Sequence, residues 1–162
     1  MLFRSERTEV RVLYDANHLY IAVHAFDSNP DAIIATEMRR DSARIRDEDE
    51  FEVILDTFRD RRNGYVFATN PLGANLEEQI FEEGGGNARG SASNINRDWN
   101  GVWTVAARRT SDGWTAEIEI PMGTLRSPDV PVQTWGINFY RSIRHKNERS
   151  EEHTSELQSH SF

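Results

Sequence analysis

Glu50-Phe-Glu-Val-Ile-Leu-Asp-Thr-Phe-Arg-Asp-Arg-Arg-Asn-Gly-Tyr-Val-Phe-Ala-Thr-Asn-Pro-Leu-Gly73 reads as two strands joined by a charged turn. Phe51, Val53 and Leu55 alternate with Glu50, Glu52 and Ile54, the period of a half-buried strand. Asp60-Arg-Arg-Asn-Gly64 breaks that period with residue types that tolerate tight turns. Tyr65, Val66, Phe67 and Ala68 resume it, and Asn70-Pro-Leu-Gly73 ends it. The stretch therefore sets the class as antiparallel β.

The same period recurs outward in both directions. Strands are expected near 8–14, 18–27, 33–38, 50–57, 64–70, 75–81, 101–109, 113–120 and 133–141, and a single helical turn over 121–126. Asp15-Ala-Asn17, Ser28-Asn-Pro-Asp31, Ser111-Asp-Gly113 and Ser127-Pro-Asp129 separate them. Eight or nine short strands at this spacing predict an antiparallel β-sandwich, immunoglobulin- or jelly-roll-like, rather than alternating βα units. Residues 39–49 are too charged for a core, and 82–98 form a long Gly/Ser/Asn loop of the length that is functional or disordered in compact domains.

Composition narrows the function classes. The chain has 162 residues, 19 basic against 27 acidic side chains, and no cysteine. One domain is the natural reading of that length. A net charge of −8 argues against nucleic acid, whose binders carry a basic stripe, and against docking on anionic lipid. Without cysteine there is neither a disulfide framework nor a thiolate zinc site. No run of about 18 apolar residues could insert into a membrane as a helix.

Several motifs in sequence have a familiar order. These are Thr8-Glu-Val-Arg-Val-Leu-Tyr-Asp15, Leu19-Tyr-Ile-Ala-Val-His-Ala-Phe-Asp27, Arg39-Arg-Asp-Ser42 and the 50–73 hairpin, then Trp99-Asn-Gly-Val-Trp103, Gly113-Trp-Thr-Ala-Glu-Ile-Glu-Ile-Pro121 and Trp135-Gly-Ile-Asn-Phe-Tyr-Arg-Ser-Ile-Arg144. Together they resemble the family 9 carbohydrate-binding modules, in the bacterial subgroup that precedes an outer-membrane barrel. The resemblance covers roughly residues 6–148. It implies a non-catalytic module that binds polysaccharide or oligosaccharide, in a system for polysaccharide degradation or uptake often attached to glycoside hydrolases. It further implies a periplasmic, cell-envelope or secreted location, with a C-terminal outer-membrane barrel as partner. The alternative is a periplasmic structural domain of such a barrel protein without sugar binding. Family members carry residues before this opening strand, so the domain, taken as 1–148, is expected to be truncated at its N-terminus. Arg149-Ser-Glu-Glu-His-Thr-Ser-Glu-Leu-Gln-Ser159 resembles a translated sequencing adapter, and 149–162 is expected to be a non-native or disordered tail.

Sugars present hydroxyl edges and flat, weakly apolar faces, so a binder needs exposed aromatic platforms beside planar polar groups. Trp114 heads the alternation Trp114, Ala116, Ile118, Ile120, and Trp135 heads Trp135, Ile137, Phe139; both are expected in the core. Trp103 reads as core or as ligand face. Trp99 reads as an exposed platform or as a lid folded back on the core. On opposite parity to the Trp135 stripe, Tyr140 leaves the core, while Asn70, Arg40 and Asp41 could converge at one rim. The candidate ligand-binding set is thus Trp99, Trp103, Arg40, Asp41, Asn70 and Tyr140.

No catalytic constellation emerges. Glycosidases need two carboxyl groups about 5–10 Å apart, yet Glu117 and Glu119 are an ordinary acid pair on an outward strand face. His18, His24 and His145 have no metal-ligand spacing. No cofactor is expected; calcium is the one candidate, with Asp41, Asp47, Glu48 and Asp49 as hard oxygen donors on a loop.

Overall fold

The computed structural model describes residues 5–81 and 95–160, with 152–160 described through their backbone. The decisive hairpin forms as β3 (Glu50–Asp56) and β4 (Gly64–Thr69), in a register that pairs Phe51 with Thr69, Val53 with Phe67 and Leu55 with Tyr65. Its turn is held by carboxylates. Asp56 accepts the Asp60 and Arg61 amides at 3.2 and 2.8 Å, and Asp60 accepts those of Arg62 and Asn63, each at 2.8 Å.

Ten strands among the described residues make two antiparallel sheets. The smaller runs β1-β2-β8-β7, from β1 (Thr8–Tyr14), β2 (His18–Phe26), β7 (Thr104–Thr110) and β8 (Gly113–Pro121). The larger runs β10-β9-β3-β4-β5-β6, adding β5 (Asn75–Ile80), β6 (Ile95–Asn96), β9 (Val132–Ile143) and β10 (Glu148–His160). The expected all-β sandwich is what forms, with a 3₁₀ turn at Met122–Thr124. Residues 82–94 of the expected glycine-rich loop lie outside the described residues.

The core is where the period-2 stripes of the sheets meet. Leu19, Ile21, Val23 and Ala25 of β2 and Trp114, Ala116, Ile118 and Ile120 of β8 pack against Phe51, Val53, Leu55, Tyr65, Phe67, Trp135, Ile137 and Phe139. Fully burying each larger side chain contributes roughly 1.5–3 kcal/mol. The β7–β8 connection needs a glycine: Gly113 has φ +147°, and a Cβ there would lie 2.0 Å from the Ala25 carbonyl oxygen across the ladder.

Two expectations are corrected. No strand forms over 33–38. The segment is extended, but its amides are taken by acidic side chains rather than by a ladder. Ile34 N–H donates to Asp49 Oδ2 at 2.9 Å, and Thr36 and Glu37 N–H donate to Glu48 Oε1 at 2.9 and 3.0 Å. Nor is 39–49 wholly outside the core. A 3₁₀ turn at Ala43–Asp47 lays Ile45 against Ala68, Ala74 and Leu76 on the outer face of the larger sheet, and buries Glu48 and Asp49 behind it. This cover explains why Glu50 and Glu52, on that outer face, are also buried. Arg46 pairs with Glu52 and, at 2.9 Å, with Glu78. Burial, then the neighbouring Glu52 charge, pushes Glu50 up to about 7.

Residues 149–160, which the sequence reading sets outside the domain, run alongside β9 as β10, with a register shift between Thr154 and Leu157. Without it β9 would present a row of unpaired amides and carbonyls, and an extended chain can pair with these whatever its side chains.

Candidate functional site

Two of the six expected residues, Arg40 and Trp103, are joined at one rim of the sandwich by a buried carboxylate, and Trp99 adjoins them through the loop that Arg40 holds. Glu77, in β5 opposite Phe67, points inward and is 1% exposed. Its Oε2 accepts the Trp103 indole N–H at 2.9 Å, and its Oε1 accepts Arg40 Nη2. The same Arg40 nitrogen donates to Asn100 Oδ1 at 2.6 Å and to the Gly101 carbonyl at 3.0 Å. The Glu77 hydrogen bond, ahead of the opposing cost of burial, raises the Arg40 pKa above its ordinary value. Arg40 thus ties the charged connection at 39–42 to the loop that carries Trp99.

Trp99 is half-buried. Its ring lies against Tyr65 (centroids 4.8 Å apart, 46° between planes) and edge-on to Phe67 (5.9 Å). Trp103 meets the same Phe67 edge-on at 5.2 Å but is 4% exposed, so of its two readings the structure takes core. Gly101 fixes the indole of Trp99, since a Cβ at 101 would lie 2.6 Å from its ring. Beyond Tyr65 the surface opens into a depression of about 270 Å³ lined by Phe58, Asn63, Gln79 and Arg126 among others. Tyr65 is common to the depression and to the Trp99 stack, and the half-exposed indole with guanidinium and amide beside it suits a flat, hydroxylated ligand.

The other expected residues are placed differently. Asp41 adjoins the rim, 3.5 Å from Arg40 Nε, in a left-handed turn (φ +58°) whose amide donates to the Asn75 carbonyl. Asn70 is fully buried and organises the chain. Its Nδ2 donates to the Glu37 carbonyl (2.7 Å) and Glu48 Oε2 (3.0 Å), and its Oδ1 accepts the amides of Leu72 (3.1 Å) and Ala74 (3.0 Å). Tyr140 lies on the outer face of the larger sheet, beside Glu52 in the register. Its hydroxyl donates to Glu151 Oε1 at 2.5 Å, and burial, followed by that bond, pushes it up to about 12. The expected calcium donors also scatter: Glu48 is spent on the 36–37 amides and Asn70, and Asp41 belongs to the rim. Sequence reasoning missed Glu77, Tyr65 and Phe67. Alternation in Asn75-Leu-Glu-Glu-Gln-Ile80 splits Leu76 and Glu78 from Glu77 and Gln79, but nothing local says which pair turns inward.

A family model described as "Carbohydrate family 9 binding domain-like" matches residues 4–158. The chain belongs to that family. A family 9 binding domain is a non-catalytic module, and residues 4–158 are such a module rather than a catalytic domain. No curated protein matches it. Two solved structures share its fold. One is a candidate carbohydrate-binding protein of Bacteroides uniformis, 13% identical, covering 97% of this chain and 71% of that one with a TM-score of 0.63. The other is a carbohydrate-binding module family 9 of Caldicellulosiruptor kristjanssonii in complex with cellotriose, 15% identical, covering 96% and 66% with a TM-score of 0.59.

Proposed function

We propose that this family 9 domain binds a polysaccharide or oligosaccharide against the open side of Trp99. The carrying observation is the half-buried indole, backed by Tyr65 and Phe67 and flanked by Arg40 and Asn100. Part of the ring is committed to the protein, against Tyr65, Phe67 and Gly101. The remaining surface can accept the C–H face of a sugar, with guanidinium and amide groups beside it for hydroxyls. Cellotriose in the Caldicellulosiruptor module supports a β-linked glucan as the first ligand to try.

The larger setting is proposed on the sequence resemblance: a role in polysaccharide degradation or uptake, in the cell envelope or outside the cell, beside an outer-membrane barrel. On the same ground residues 149–162 are proposed to be non-native. The rival reading, a structural domain that binds no sugar, draws on the burial of Trp103. Affinity electrophoresis through gels carrying β-glucan, xylan, mannan or chitosan separates the two. Binding requires retardation by at least one glycan that Trp99→Ala abolishes while Tyr140→Phe does not. Unretarded migration in every gel favours the structural reading.

A further inference from the structure

Three side chains with no role at the Trp99 rim converge where the two sheets close on each other. Asp27 follows β2 in the smaller sheet, Asp49 precedes β3, and His145 lies in the 3₁₀ turn after β9. One ligand-type atom from each lies within 4.8 Å of the others. Asp27 is 4% exposed and Asp49 0%, while the His145 side chain is 16% exposed.

What sets this cluster apart is unmet hydrogen-bonding capacity. Asp27 Oδ2, Asp49 Oδ1 and both ring nitrogens of His145 are buried without a hydrogen bond, His145 Nε2 making only a long ion-pair contact with Asp27 Oδ1. The opposite oxygens are used: Asp27 Oδ1 accepts the Asn29 amide and Asp49 Oδ2 the Ile34 amide, each pinning its carboxylate. Buried polar atoms are otherwise satisfied in folded proteins, and one left alone costs about 1–3 kcal/mol. Arg141 offsets the charge of Asp27 and Asp49 from nearby but hydrogen-bonds to none of these atoms. Its Nη atoms donate to the Arg7 and Phe26 carbonyls and to Thr8 Oγ1, and its Nε is itself unpartnered.

We propose that Asp27, Asp49 and His145 bind a divalent metal ion of the zinc class, which ties the end of β2 to the start of β3 and the end of β9. The ligand set gives the class: one imidazole and two carboxylates suit zinc or its first-row neighbours, whereas calcium takes six to eight oxygens. One edge already has metal-site length, and the others, within 4.8 Å, close by up to about 1.4 Å when the carboxylates turn toward the ion. His145 Nε2 and Asp27 Oδ1 are 3.5 Å apart, close to the ligand–ligand edge of a tetrahedron with bonds of about 2.1 Å. With three protein ligands the fourth position falls to water.

The test is zinc binding to the full chain after dialysis against a chelator, followed by calorimetric titration, metal analysis and thermal unfolding. The site predicts one zinc per chain, and a Tm raised by roughly 5–10 °C at zinc well above Kd. His145→Gln and Asp49→Asn should each weaken binding by at least about tenfold. Should Asp49→Asn fail to fold, cobalt decides: the parent should show visible d–d absorption that His145→Gln loses and the His18→Gln/His24→Gln pair keeps. The proposal is overturned if the parent neither binds zinc nor gains Tm, if His145→Gln binds as tightly as the parent, or if only calcium stabilises.

Discussion

Replacing Glu77 by Gln removes one charge at the centre of the Trp99 rim while keeping size and an acceptor. The carboxylate is buried and makes two charge-assisted contacts, to Arg40 and to the Trp103 indole. Gln can still accept from Trp103 through its carbonyl, which turns its NH₂ toward the Arg40 guanidinium. One strong hydrogen bond is then lost and two donors face each other. A hydrogen bond to a charged group contributes about 1.5–3 kcal/mol, and breaking a buried ion pair costs up to about 3–5 kcal/mol. The Arg40 side chain is 43% exposed, so water recovers part of that cost. The expected loss is about 2–3 kcal/mol, read by urea unfolding with an unchanged m-value. Arg40→Met alone should cost about 1–2 kcal/mol, and the double variant less than the sum of the two. Strict additivity, or a Glu77→Gln loss under about 0.5 kcal/mol, would refute Glu77 as the group that joins the rim.

Three further outcomes follow from other parts of the fold. Asn70→Ala removes four hydrogen bonds at a fully buried site and leaves the Leu72 and Ala74 amides without their acceptor, so it should cost about 3 kcal/mol or more in chemical denaturation. Gly113→Ala forces a side chain into a left-handed backbone against the Ala25 carbonyl, and should cost at least about 2 kcal/mol, visible as a large drop in Tm. Burial works to raise the Glu6 carboxyl, but hydrogen bonds from Lys146 and Ser28 outweigh it and hold it at about 2. A depressed acid stabilises the fold above its unfolded value and loses that contribution as pH falls through its folded one. Glu6→Gln should therefore cost about 1–2 kcal/mol at pH 7 and nothing near pH 2, in parallel unfolding curves.

Where a strand carries one apolar face, its place was written in the chain. Phe51, Val53 and Leu55, the Trp114–Ile120 stripe and the Trp135–Phe139 stripe all lie on inner faces as alternation requires. The segment 33–38 misled because Ile33 and Ile34 look strand-like, while the carboxylates that satisfy its amides lie about a dozen residues away. The rim was legible in part. Trp99, Arg40 and Asp41 were singled out by residue type and position, and they do adjoin. Asn70 and Tyr140 have the right chemistry, but a turn claims one and the outer sheet face the other. Glu77 was invisible because its inward turn depends on the β4–β5 register. The trio of Asp27, Asp49 and His145 was hidden by spacing alone, its members coming from three separate connections.

Carbohydrate binding at Trp99 is the central claim, and calorimetric titration of a β-linked glucan oligosaccharide into the parent, Trp99→Ala and Glu6→Gln tests it most directly. The account predicts saturable binding to the parent, equal binding to Glu6→Gln, and at least a tenfold loss, about 1.4 kcal/mol, in Trp99→Ala. Binding that survives Trp99→Ala undiminished would contradict it.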